Sequence, residues 1–86
     1  MQGKPMPRQL ATNAELTKMI NGRLSESNEL GGDCRDVRVS GVHRYPEPDE
    51  TGCNWTVYGH HGPLECREVR ELIVDELRRQ YNLADD

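Results

Sequence analysis

CRDVRVSGVHRYPEPDETGCNWTVYGHH, residues 34–61, is the stretch whose reading decides the fold. It alternates with a period of two on either side of a proline-rich turn. In its first half Val37 and Val39 point one way, and Asp36, Arg38 and Ser40 the other. In its second half Cys53, Trp55 and Val57 share one side, and Asn54, Thr56, Tyr58 and His60 the opposite one. Between the halves lies Tyr45-Pro46-Glu47-Pro48-Asp49-Glu50-Thr51-Gly52. Its two prolines lack an amide hydrogen and cannot continue a ladder. The pattern predicts an antiparallel hairpin. Folding it symmetrically about Pro48 sets Val39 opposite Val57, Val37 opposite Gly59, and Trp55 over Gly41 on the inner face.

Helical signals flank the hairpin. Thr12-Asn13-Ala14-Glu15 has capping-box spacing, so a first helix should start near Thr12. Leu16, Met19, Ile20 and Leu24 then fall on one face, with Leu10 folding back over it and Leu30 tucked beneath. Gly62-Pro63 opens a second helix, because proline suits the first helical position. Cys66, Val69, Leu72, Ile73, Leu77 and Tyr81 form its apolar stripe, with Val74 at the margin, and it should stop near Tyr81 or Asn82. On the wet side Arg67 and Glu71, and Asp75 and Arg79, are opposite charges four apart.

The predicted fold class is α+β: helix–strand–strand–helix, an antiparallel β-hairpin with both helices packed on one face. Residues 1–9 read as a flexible N-terminal arm, 10–83 as one small domain and 84–86 as a C-terminal tail. Such a short chain has a thin core, and in this arrangement both strand edges are bare. A homodimer joining two hairpins through a strand edge into a four-stranded sheet would satisfy them.

Composition narrows function by exclusion. The net charge is −4, the wrong sign for a chain that neutralises phosphates, so nucleic acid is an unfavoured partner. No apolar run approaches a membrane span and no signal-peptide core stands at the N-terminus, so the expected location is the cytoplasm. Three cysteines cannot all pair within one chain, and in the cytoplasm they are expected as reduced thiols.

Residues able to carry chemistry are few. Cys34, His43, Cys53 and His61 are candidate metal ligands, grouped at the two ends of the symmetric hairpin. They lack the close Cys or His pairs of structural zinc sites, so ordinary core and surface roles outrank metal binding. Cys66 in a first helical turn, with His60 or His61 as base, is a nucleophile candidate, but its place on the buried stripe denies it access. The acidic turn of Glu47, Asp49 and Glu50 lacks the ligand alternation of a calcium loop. Asn54-Trp55-Thr56 matches the glycosylation acceptor pattern, but in mid-strand. The outer sheet face combines cations and rings: Arg38, Tyr58 and His60, with Arg44 and Tyr45 at the turn. It is the candidate binding surface.

The expectation is therefore a non-catalytic interaction module, without cofactor, that binds another protein. The alternatives are a nucleic-acid accessory protein using the basic arm with Arg38 and Arg44, and a zinc-stabilised module.

Overall fold

Helix α1 (Asn13–Ser25) starts where its capping box dictates. The Thr12 hydroxyl accepts from the Glu15 amide at 3.1 Å, and the Glu15 carboxylate accepts from the Thr12 amide at 2.9 Å. The computed structural model describes residues 8–84. Strand β1 (Gln9–Ala11) precedes α1; β2 (Gly41–Arg44) and β3 (Trp55–Tyr58) form an antiparallel pair; α2 (Arg67–Gln80) runs directly into β4 (Tyr81–Leu83). β1 and β4 pair in parallel. The chain is a small α+β domain of two helices, one antiparallel pair and one parallel pair. Among the described residues no helix is long and apolar enough to cross a membrane.

The parallel pair was not foreseen. The boundary expected at residue 10 lies inside β1, and Arg8 donates from Nε to the Arg78 carbonyl at 2.9 Å. Leu10 does not fold back over α1 but is 70% exposed, because Ala11 takes the buried place in β1. Ala84 belongs to the fold through its amide bond to the Ala11 carbonyl. The rest of the expected arm, residues 1–7, and residues 85–86 lie outside the described residues.

The hairpin register corrects the symmetric one. Val42 faces Val57, Gly41 faces Tyr58 and Arg44 faces Trp55, which centres the turn between Asp49 and Glu50. The cause lies in the loop. Asp49 makes the turn by accepting from the Gly52 amide at 2.9 Å, while its own amide bonds the Cys53 carbonyl at 2.8 Å. Its carboxylate holds the Thr51 amide and hydroxyl. The two prolines lie wholly on one side of this turn. The register shift replaces the indole with Tyr58 over Gly41, where an added Cβ would lie 2.8 Å from the phenol oxygen. At the hairpin base Arg38 and His61 exchange two 2.9 Å backbone bonds. Between β3 and this bridge, Gly59 takes φ +85° against Ser40, where an added Cβ would collide with the serine side chain. The irregularity switches parity, so that Val37, Val39 and Val42 are all buried.

Trp55 is 0% exposed, as its inward parity requires. Its indole donates to the Tyr81 carbonyl at 2.9 Å, at the junction of α2 and β4. Leu16, Ile20 and Leu24 of α1 and Val69, Val74 and Leu77 of α2 complete the core around it. The stripe of α2 is rotated from the predicted one: Val74 is buried and Leu72 is 65% exposed. At about 100° per residue the two lie ~200° apart, so one helix face cannot bury both.

The strand edges are not bare. Asn21 presents its amide to Val39 as a neighbouring strand would: Nδ2 donates to the Val39 carbonyl (3.3 Å) and Oδ1 accepts from its N–H (2.9 Å). Asn13 Nδ2 donates to the Val42 carbonyl at 2.8 Å. Beyond β3, Asn54 makes the same two-bond pair with Leu83, at 3.1 and 2.8 Å, and Arg78 Nε donates to the Trp55 carbonyl at 2.9 Å. Side chains thus replace missing ladder partners: Asn13, Asn21 and Arg78 on the hairpin, and Asn54 of the hairpin on the backbone of β4. Asn54 is spent on this pairing, which accounts for the acceptor-like tripeptide.

Cys34 and Cys66 form a disulfide, with Cα atoms 5.6 Å apart, and Cys53 is a buried free thiol. The expectation of three reduced thiols is corrected. The bond ties the segment leading into the hairpin to the turn that starts α2.

The acidic turn is likewise not merely solvated. Arg78, reaching across from α2, forms an ion pair with Asp49 and lies 5.7 Å above the Tyr45 ring. The Thr51 hydroxyl, 2.6 Å from the Asp49 carboxylate, holds its pKa down to about 2 from 3.8, aided by the Cys53 and Thr51 amides and the Arg78 charge against partial burial. A carboxylate depressed on folding stabilises fully above its unfolded pKa and loses that contribution as pH falls through the folded value. The melting temperature of the wild type should therefore fall more steeply than that of Asp49→Asn between about pH 5 and pH 2. Parallel melting curves for the two proteins would show the carboxylate to be unimportant.

Candidate functional site

The five residues of the expected sheet-face surface are held by different parts of the fold. Arg38 folds onto its own strand, donating from Nη1 to the carbonyls of Arg35 (2.6 Å) and Val37 (2.7 Å). Arg44 lies opposite Trp55 and reaches the Ala84 carbonyl at 2.7 Å. Tyr45 packs under Arg78. His60 Nε2 bonds the Pro63 carbonyl at 3.0 Å. Tyr58 stands 55% exposed, over Gly41, and Arg44 is exposed as well. The cations and rings of the expected surface are engaged separately: Arg38, Arg44 and His60 each bond backbone carbonyls, and Tyr45 meets Arg78.

The metal candidates do not converge. The Cys34 sulfur is committed to Cys66. His43 faces Thr56, not Cys53, and the buried Cys53 thiol points to the Trp55 carbonyl. His61 shares a 2.8 Å hydrogen bond with the Ser40 hydroxyl. Among the described residues no three His, Cys, Asp or Glu side chains gather where an ion could sit. The thiol-nucleophile reading falls with the disulfide, since Cys66 carries no free thiol.

The Ser40–His61 pair has the geometry by which a histidine activates a hydroxyl. Both residues are exposed. Among the described residues no acid bonds the other imidazole nitrogen to orient the ring. A nucleophile needs that third group and a recess for its substrate.

A different surface is built for contact. Where α1 and α2 lie side by side, a groove of about 260 Å³ opens between Arg23, Ser27 and Glu29 on one wall and Val69, Leu72, Ile73 and Glu76 on the other. Val69 and Ile73 form its floor at the edge of the core. Leu72 stands on its lip, 65% exposed. Arg23 and Glu76 bridge the helices at 3.3 Å and close one end. Next in sequence to Glu29, Leu30 is held in the left-handed region (φ 53°, ψ 38°), an uncommon conformation for a side-chain-bearing residue. Its side chain is exposed instead of tucked beneath α1. A second groove, of about 400 Å³, runs along Leu10, Ala11, Lys18, Met19 and Tyr81.

Sequence reasoning placed Leu72 in the buried stripe and so missed the groove. The available signal was the width of that stripe: Leu72 and Val74 together overfill one helix face. Compared with known proteins, the chain matches no family model, no curated protein and no solved structure.

Proposed function

We propose that the chain is a non-catalytic module that binds another protein through the groove between α1 and α2. One observation carries the reading: Leu72, a large aliphatic side chain, is left in water at the lip of an apolar floor although Val74 on the same helix is buried. Exposed aliphatic surface rimmed by charge favours a protein partner. At about 260 Å³ the groove is smaller than the cavities that enclose drug-sized ligands and suits an anchoring side chain.

The other associations considered from sequence find less support. Pairing of two hairpins through the β2 edge would first have to displace Asn21 from Val39 and Asn13 from Val42. Nucleic-acid binding would call on Arg38 and Arg44, whose guanidiniums already serve backbone carbonyls. The disulfide favours an oxidising compartment over the cytoplasm.

The test places a photo-reactive residue at position 72 and another at position 58 in cells of the source. A discrete heavier adduct from position 72, absent from 58, is expected. Adducts from position 58 alone would return the surface to the outer sheet face. As a control, Leu72→Asp should change stability by less than about 0.5 kcal/mol, since the side chain is exposed. A large loss of stability would show that Leu72 belongs to the core.

A further inference from the structure

The groove carries information about what fills it. The segment 26–35 beside it holds Glu26, Glu29 and Asp33 against one cation, Arg35, whose guanidinium donates to the Ser27 carbonyl (3.0 Å) and Asn28 Oδ1 (2.6 Å) and not to a carboxylate. Among the described residues the Glu29 carboxylate, on the groove wall, makes no ion pair or hydrogen bond. On the opposite wall Glu76 is matched by Arg23, so the cation on the groove wall is already used. Glu65 and Glu68, at the start of α2, are exposed as well. An apolar floor with an unmatched carboxylate on its rim is complementary to a segment that is apolar at one position and cationic beside it.

We propose that the groove takes a short amphipathic stretch of a partner protein. One large aliphatic or aromatic side chain of the partner packs on Val69, Leu72 and Ile73. An adjacent lysine or arginine meets Glu29. The inference rests on the protein-binding reading and adds the chemistry of the partner to it. The apolar contact supplies the residence time, and the rim charge supplies orientation and selectivity, because desolvated apolar anchors dominate binding energy while exposed charges contribute little. Segments with glutamate or aspartate beside the anchor are rejected, since they would place like charges at the same rim.

The probe is a short synthetic peptide carrying a Leu-Trp pair flanked by lysines, titrated into the full, oxidised, isotope-labelled chain. Amide shifts are expected at Ser27, Glu29, Val69, Leu72, Ile73 and Glu76 and not at Tyr58. The same peptide flanked by glutamates should bind more weakly. Glu29→Lys should weaken the lysine peptide roughly two- to fivefold and narrow the gap between the two peptides. Leu72→Asp should abolish the groove shifts for both. Equal binding of both peptides in the groove would overturn the cationic assignment and leave the protein-binding reading standing. A self-associating chain that Leu72→Asp renders monomeric would make the occupant a second copy and overturn the proposal. Shifts confined to another face, together with no adduct from position 72, would remove both readings.

Discussion

Replacing both members of the disulfide, as Cys34→Ala with Cys66→Ala, is expected to cost about 4 kcal/mol. The bond joins residues 32 apart in sequence, and the closed loop contains the whole hairpin. In the chain-entropy description a loop of that size removes enough freedom from the unfolded chain to account for the figure. For a domain this short, that corresponds to a fall in melting temperature of roughly 15–30 °C. The whole stability of such a chain is only roughly 4–13 kcal/mol, so the double variant should be partly unfolded at physiological temperature. The variant is a cleaner experiment than adding reductant. Both cysteines are fully buried, and a thiolate reaches the bond only after the domain opens. Thermal melts of the oxidised wild type and the double variant decide the matter. A difference below about 5 °C, or three alkylatable thiols in the denatured but unreduced native protein, would show that the staple is dispensable or absent.

The second large effect is expected at Trp55. Trp55→Ala should destabilise by roughly 3–5 kcal/mol, because it empties the centre of a thin core. The side chain is 0% exposed and lies among residues from both helices and the hairpin. Trp55→Phe separates the ring from its polar atom. It retains most of the apolar bulk but leaves the Tyr81 carbonyl without its 2.9 Å donor, at an expected cost of about 1–2 kcal/mol beyond the volume change. That bond also ties β3 to the start of β4, so the Phe variant should fray β4 first. Amide exchange at Asn82 and Leu83 should accelerate more than exchange at Ile20. Uniform acceleration would mean that the indole hydrogen bond holds nothing in particular. The tryptophan also reports on its own burial: as the sole indole of the chain, its emission should shift to longer wavelength in one step on unfolding.

Much of the local architecture was legible because it depends on short-range chemistry. The Thr12–Glu15 reciprocal cap acts across three residues, and α1 begins where that spacing places it. Period-two alternation marked β3 and put Trp55 inside, whereas in the first half it ran over residues 36–40, just ahead of β2. Register was not legible. Prolines at 46 and 48 suggested a centre at Pro48, whereas the Asp49 carboxylate, by holding Thr51 and Cys53, closes the turn later in the chain. That slide, odd in number, changed every cross-strand neighbour and put Tyr58 over Gly41.

The candidate surface was less legible than the fold. Arg44 looked like a free cation because its acceptor, the Ala84 carbonyl, lies on a segment whose position no periodicity reports, and Arg38 because period-two patterning gives no sign that its side chain turns back onto the carbonyls of Arg35 and Val37. Asn13, Asn21 and Asn54 carried no signal of their own. Their amides matter only because α1 brings Asn13 and Asn21 to the open side of the hairpin and α2 brings β4 to Asn54. Leu72 was misplaced because a helical stripe fixes which residues can share a face, not which margin of the stripe meets the core.

By itself the sequence determined where the two helices and the central hairpin form, which indole is central and that the chain is a small α+β unit. Those features follow from capping, periodicity and the conformational limits of proline and glycine, all of which act over a few residues. Only the tertiary structure decided the Cys34–Cys66 pairing, the parallel union of β1 with β4, the capping of the sheet edges by asparagine and the exposure of Leu72. Each of these depends on how far the helices rotate and approach over the hairpin. That is set by the packing of many side chains at once, among them Trp55, Val74 and Leu77, and no local pattern encodes it.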